Sequence, residues 1–273
     1  MRRLESSVHR LPVPFEPTEG RTWEPRHLIN ASTKNLYSFS MHVSALVPGE
    51  SPHPLHQHID EEILIVLSGS PEIADINQSS GLTQWTHLNS GDSVFYPSGF
   101  THTIRNSGPF TTNYLMMRWS GYGRKPLAKQ QLNRHIDRAS LTGSFENVGF
   151  GRIQRRYAFA TRWLLRLEHH ITALKPNSGY PEHTDRHDVA ILLVDGVIDV
   201  GTIHLKPFSF LHIPAGQPHG MHNPGPQEAR YVVFEFHGMI TAVLLLRVLS
   251  MGRDGFRRIL RLLRKMAKKW LRR

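Results

Sequence analysis

Short apolar runs broken at close intervals by Gly, Pro, Asn and Ser limit this chain's fold more than any other feature. The first series of runs is Leu36 to Val47, Glu62 to Leu67, Ser93 to Tyr96 and Thr111 to Trp119. The second is Arg162 to Ala173, Val189 to Val194, Val197 to Leu205 and Tyr231 to Phe236. Runs of this length, rich in β-branched and aromatic residues and separated by turn formers, predict short antiparallel strands in a sandwich or barrel. Two such series of similar length point to an internal duplication. The expected division is an extended N-terminal arm over 1–20, a first β domain over 21–125, a polar linker over 126–150, a second β domain over 151–238 and a tail over 239–273.

The chain has 273 residues, 18 of them His, and no Cys. Disulfides and thiolate metal sites are therefore excluded, and any metal must be held by His, Asp or Glu. In the first series His56 and His58 are two apart and share a face of an extended segment, with Glu62 placed to join them. A later strand carrying His102 would complete three imidazoles and one carboxylate, a set suited to Fe(II), Mn(II), Ni(II) or Zn(II). Such an ion keeps positions open for water, dioxygen or substrate.

These residues fall in a pattern that resembles the cupin superfamily. Gly49, His56, His58, Glu62 and Gly69 follow its first motif, with one extra residue between Gly49 and His56. Gly91, Pro97, Gly99, His102 and Asn106 match every position of its second motif. The resemblance implies a double-stranded β-helix, or jelly-roll barrel, with a metal in its mouth bound by His56, His58, Glu62 and His102. In the second series Pro214, Gly216, His219 and Asn223 repeat the second motif, although Phe208 stands where its first Gly belongs. Counting back from Gly196, the first-motif positions are His183, Asp185 and Val189, so the second His and the Glu are missing. His183, Asp185, His187 and His219 form a candidate second metal or ligand site, and a degenerate barrel with a polar mouth is the competing reading. The whole is expected to be a two-barrel, all-β protein, or bicupin.

Several further side chains have assignments from sequence. Glu62 is a candidate base as well as a ligand. Arg118, on one alternating face with Tyr114 and Met116, is a candidate grip for a substrate carboxylate, against the alternative of an outward-facing strand end. His42 is read as a packing residue, His53 as exposed, and Glu61 as facing away from Glu62.

Charge is concentrated at the C-terminus. The net charge is +11, of which Arg247 to Arg273 carry +10. From Phe256 onward Ile259, Leu260, Leu263, Met266, Ala267, Trp270 and Leu271 recur at helical spacing opposite nine basic residues, predicting an amphipathic helix over 256–273. Packing on the barrel or a second subunit, attachment to an anionic membrane surface, and polyanion or nucleic-acid binding compete for that helix, the last having the least support. Met1-Arg2-Arg3 is followed by polar residues and the longest apolar run, Met239 to Leu246, is far shorter than the roughly 20 residues of a span. The expected location is cytoplasmic, with a peripheral place at the inner face of the membrane if the tail binds lipid.

The functional expectation is a metal-dependent enzyme acting on a small polar molecule, with Fe(II) oxygenase chemistry slightly ahead of isomerase, lyase or decarboxylase chemistry. The alternative is a non-enzymatic small-molecule binding or scaffold protein tethered by its tail. A homodimer is compatible with either.

Overall fold

The computed structural model describes residues 4–76, 81–122, 133–139 and 144–238. The predicted tail helix lies outside the described residues. Within them all regular structure is β, in four antiparallel sheets.

In the first barrel a six-stranded sheet includes β2 (Trp23–Ala31), β3 (Leu36–Leu46), β4 (Glu61–Ser68), β7 (Ser93–Tyr96) and β9 (Thr112–Gly121). It faces a small sheet of β5 (Glu72–Ile76), β6 (Thr83–His87) and β8 (His102–Arg105). The second barrel repeats this with a seven-stranded sheet that includes β12 (Gly151–Phe159), β13 (Leu164–Leu174), β15 (Asp188–Asp195), β18 (Ser209–Ile213) and β20 (Ala229–Gly238). Its small sheet contains β14 (Ser178–Thr184), β16 (Ile198–Val200), β17 (Ile203–Leu205) and β19 (Pro218–Asn223).

Strand periodicity explains how one chain supports three cores. On β4, Leu64 and Val66 point into the first barrel with Tyr114, while Ile63, Ile65 and Leu67 point out of it. On β15, Val189, Ile191 and Leu193 fill the second barrel, while Ala190 and Leu192 point out. The two outward faces meet in a third core, where Phe39 and Trp119 of the first barrel pack edge-on against Phe236 of the second. Strands buried on both faces read as continuous apolar runs, as Glu61–Ser68 does after its two acids. Burying each large side chain there stabilises the pair of barrels by about 1.5–3 kcal/mol.

Glu61 belongs to this interface and points away from Glu62, as strand alternation requires. It is buried, and its carboxylate accepts from Trp119 Nε1 (3.1 Å), Thr161 Oγ1 (2.6 Å) and the Arg162 amide (2.7 Å). Burial outweighs these hydrogen bonds and raises its pKa to about 7.

Two segments depart from the division expected from sequence. Within the first twenty residues, β1 (Ser7–Arg10) pairs with β18, so part of the stretch read as an extended arm forms an edge strand of the second barrel's sheet. Within 126–150, β10 (His135–Asp137) pairs with β7 and β11 (Glu146–Val148) with β12, so the linker adds an edge strand to each barrel. Both segments are short and lack alternation, which leaves pairing, not patterning, to make them strands. Asp137 anchors the connection, with its carboxylate 2.7 Å from Arg156 Nη2 and 3.2 Å from His169 Nε2.

Gly69 ends β4 at φ 88°, and a Cβ there would lie 2.4 Å from Thr112 Oγ1, which excludes every other residue. Phe208, in the place of the second barrel's motif glycine, adopts φ 64° all the same.

Candidate metal centre and the two barrel mouths

The loop after Pro52 brings His56 into a single bridge with His102, each backbone N–H donating to the other's carbonyl (3.2 and 2.9 Å). The bridge aligns the segment 56–58 with the start of β8, and β4 follows directly with Glu62. Imidazole nitrogens of His56, His58 and His102 lie within 4.8 Å of one another. Glu62 joins them: Oε2 is 3.2 Å from His58 Nε2, and Oε1 is 3.3 Å from His102 Nε2. The sequence-predicted quartet is thus brought together in the mouth of the first barrel.

The surrounding bonds orient these groups for a cation. His58 Nδ1 donates to the Asp60 carbonyl (3.0 Å) and His102 Nδ1 to the Phe100 carbonyl (2.9 Å), which leaves each Nε2 lone pair facing inward. Among the described residues His56 Nδ1 and Glu62 Oε1 are buried without an aligned hydrogen-bond partner, the condition expected of atoms whose natural partner is a metal. Burial lowers the His56 pKa to about 4, keeping that ring neutral. Burial raises the pKa of Glu62, but the adjoining His102 and His58 outweigh it and hold the group ionised, well below the usual carboxylate range. A neutral His56 ring and an ionised Glu62 carboxylate are protonation states that metal binding requires.

The centre opens into a cavity of about 460 Å³. Arg118 lies opposite Glu62 on β9, with Nη2 3.2 Å from Oε2, and it lines the cavity instead of leaving the strand outward. Tyr114, on the same face, is buried, its hydroxyl accepting from Trp23 Nε1 (2.9 Å). His42 and His53 also reach the cavity wall, and His53 packs edge-on against His56 with centroids 4.0 Å apart, so its expected exposure is corrected. Tyr96, which the motif reading passed over, stacks on His102 at 4.1 Å and 15°. Its place on the strand before the Pro97–Gly99 turn was the available signal.

The second barrel's mouth, about 390 Å³, keeps part of this plan. Asp185 Oδ2 lies 3.6 Å from His183 Nε2 and 3.4 Å from His219 Nε2. The Nδ1 atoms of His183 and His219 face the carbonyls of Pro181 and Gln217, as in the first barrel. His187 does not complete this group: its Nε2 is 3.9 Å from Asp185 but 3.2 Å from Glu235 Oε2. Glu235, His237 and His170 were not singled out from sequence. The signal was the Glu-x-His spacing of 235 and 237 on the last strand.

Residues 42–117 match the family model described as a cupin domain. None of the curated protein sequences matches the chain. Among solved structures, AerE from Microcystis aeruginosa is similar with a TM-score of 0.59 and 13% identity, over 82% of this chain and 97% of that one. Protein Ylba from E. coli gives 0.60 and 14%, over 85% and 90%. The oxalate decarboxylase of Lactobacillus farciminis, solved as a formate complex, gives 0.53 and 11%, over 83% and 89%. At these identities the likeness is one of fold. Among the described residues no helix is long and apolar enough to cross a membrane.

Proposed function

We propose that this chain, whose residues 42–117 match a cupin domain and whose fold resembles cupin structures, is a metal-dependent enzyme that acts on a small carboxylate-bearing molecule. His56, His58, Glu62 and His102 would hold one divalent transition metal. Iron, manganese, zinc and nickel all suit this donor set. When bound, the ion polarises a coordinated oxygen and lowers the pKa of bound water.

The observation that carries the reading is the shared carboxylate oxygen. Glu62 Oε2 faces both His58 Nε2 and the Arg118 guanidinium, so one cationic fork stands beside the donor set at the cavity's edge. Arg118 can exchange Glu62 for a substrate carboxylate, which it binds bidentately. Glu62 then serves as the nearby base that takes a proton from the substrate. Tyr114, fixed by Trp23, and the stacked Tyr96–His102 pair restrict the space around it. The oxalate decarboxylase among the similar folds supports decarboxylase or related chemistry on a small acid as much as the oxygenase chemistry suggested by an iron-compatible donor set.

The experiment is metal content per chain, by plasma mass spectrometry, for the untagged full chain and for His56→Ala/His58→Ala. A screen of small mono- and dicarboxylates follows on the metal-loaded protein, with oxygen uptake and carbon dioxide release as readouts. About one metal per chain, lost in the double variant, with turnover of any acid supports the enzyme. Metal and saturable acid binding without turnover favours the second reading, a binding protein built on the same site. No metal after reconstitution rejects both.

In the second barrel, His183, Asp185 and His219 make a three-donor site in the corresponding place, which we carry as a second candidate for metal or ligand. For the tail over 256–273, packing on the barrel or a second subunit, attachment to an anionic membrane and polyanion binding all stand as proposals. Flotation with anionic vesicles, for the full chain against a chain ending at Gly252, tests the membrane attachment.

A further inference from the structure

The two barrels place a carboxylate on different strands of the same ladder. In the first, Glu62 on β4 pairs across to Arg118 on β9. In the second, the corresponding rung is Val189 on β15 opposite Glu235 on β20. The acid has crossed to the neighbouring strand and occupies the position held by the arginine in the first barrel. We infer that the second barrel binds a divalent cation of the zinc class at a displaced centre formed by Glu235, His187 and His237, with His170 beside it.

The donors converge on one carboxylate. His237 Nε2 is 2.9 Å and His187 Nε2 3.2 Å from Glu235 Oε2, and the two rings stack at 4.1 Å with 29° between planes. These separations are close to the roughly 3.3 Å between ligand atoms of a tetrahedral zinc with bonds near 2.0–2.1 Å. On the other oxygen, His170 Nδ1 lies 3.7 Å from Oε1, buried and without a hydrogen bond. All three ion-pair partners of Glu235 among the described residues are histidines. The other acid nearby, Glu168, groups with His170 and Glu235 but is also paired with Arg155 (3.1 Å) and Arg166. Three imidazoles around one carboxylate, with no guanidinium ion-paired to it among the described residues, form a donor set for a borderline cation.

This centre is distinct from the three-donor group of His183, Asp185 and His219, and the test separates them. Cobalt(II) is titrated into the untagged full chain carrying His56→Ala, His58→Ala, His183→Ala and His219→Ala, with binding followed by calorimetry and the visible absorption of bound cobalt. The expected result is one cobalt per chain, with affinity reduced at least tenfold by adding Glu235→Gln. No binding by the folded quadruple variant, or binding indifferent to Glu235→Gln, overturns the inference. If the quadruple variant does not fold, cobalt-soaked crystals of the wild-type chain decide by anomalous scattering. A peak between His187, Glu235 and His237 supports the site, and none at saturating cobalt refutes it.

Discussion

Arg118 Nη2 lies 3.2 Å from Glu62 Oε2, the same oxygen that His58 Nε2 approaches to 3.2 Å from the other side. The guanidinium therefore competes for the charge of a carboxylate proposed as a metal ligand, while offering the cavity a fork for an incoming acid.

Replacing Arg118 by Gln should separate these two effects. Metal is expected to stay bound, and somewhat more tightly, because a positive neighbour of the ligand is gone. Binding of a small carboxylate to the metal-loaded chain is expected to weaken by at least tenfold, roughly the 1.5–3 kcal/mol of a charge-assisted hydrogen bond. Calorimetric titration with metal and then with a dicarboxylate reads both. Unchanged carboxylate affinity would remove Arg118 from the site.

Asn106 is a motif residue whose structural work is independent of metal. Its buried Nδ2 donates to the carbonyls of Leu46 and Phe110, both at 2.8 Å, and its Oδ1 accepts from Gly108 N (3.1 Å). Asn223 repeats the pattern with Leu174, Gln227 and Gly225. Asn106→Ala removes the partner of the buried Leu46 carbonyl and of the partly buried Phe110 carbonyl and Gly108 amide, and should cost about 2–4 kcal/mol. Urea unfolding of the metal-free chain would show it. A loss seen only in the metal-loaded protein would contradict this account.

His212 is buried at the barrel interface against Phe39, and neither ring nitrogen has a hydrogen-bond partner among the described residues. Burial lowers its pKa to about 3, from an ordinary 6.5. The unfolded chain thus binds a proton that the native chain refuses, so this group's contribution is complete above pH 6.5 and falls away as pH drops towards 3. His212→Leu should raise the unfolding midpoint at pH 5 relative to wild type by more than at pH 8. Equal shifts at the two pH values would mean that His212 does not titrate on unfolding.

Phe208 holds a left-handed backbone, φ 64°, while packing against the inter-barrel core. Phe208→Gly and Phe208→Ala lose the same ring contacts, but Ala keeps the Cβ penalty of roughly 1 kcal/mol. The Gly variant is expected to be the more stable of the two by about that amount in parallel denaturation curves.

The first barrel's site was legible because the chemistry and the turns are encoded together. Gly69 and Gly91 both have φ 88°, and His58 and His102 gain their orientation from carbonyls two residues away in the chain. Local spacing drew His56, His58 and Glu62 together, and the resemblance of the second motif added His102; the four side chains lie together in the structure. The second mouth was less legible because its contacts are set by strand register. Glu235 meets His187 and His170 across two ladders, and no sequence distance between them announces it. Phe208 shows the opposite case, in which the residue departs from the motif but the backbone does not. The strands β1 and β10 escaped notice because four and three residues carry no period.

The pairing of Ser7–Arg10 with Ser209–Ile213 also bears on how the molecule is made. At a synthesis rate of about 5–20 residues per second, the N-terminal strand emerges some 10–40 s before its partner exists. It must stay unpaired, and unaggregated, while the whole first barrel forms beside it. Dividing the gene between the barrels would strand that segment on one product and bare a sheet edge on the other. The two similar halves are interlocked by this strand, and they are not interchangeable parts.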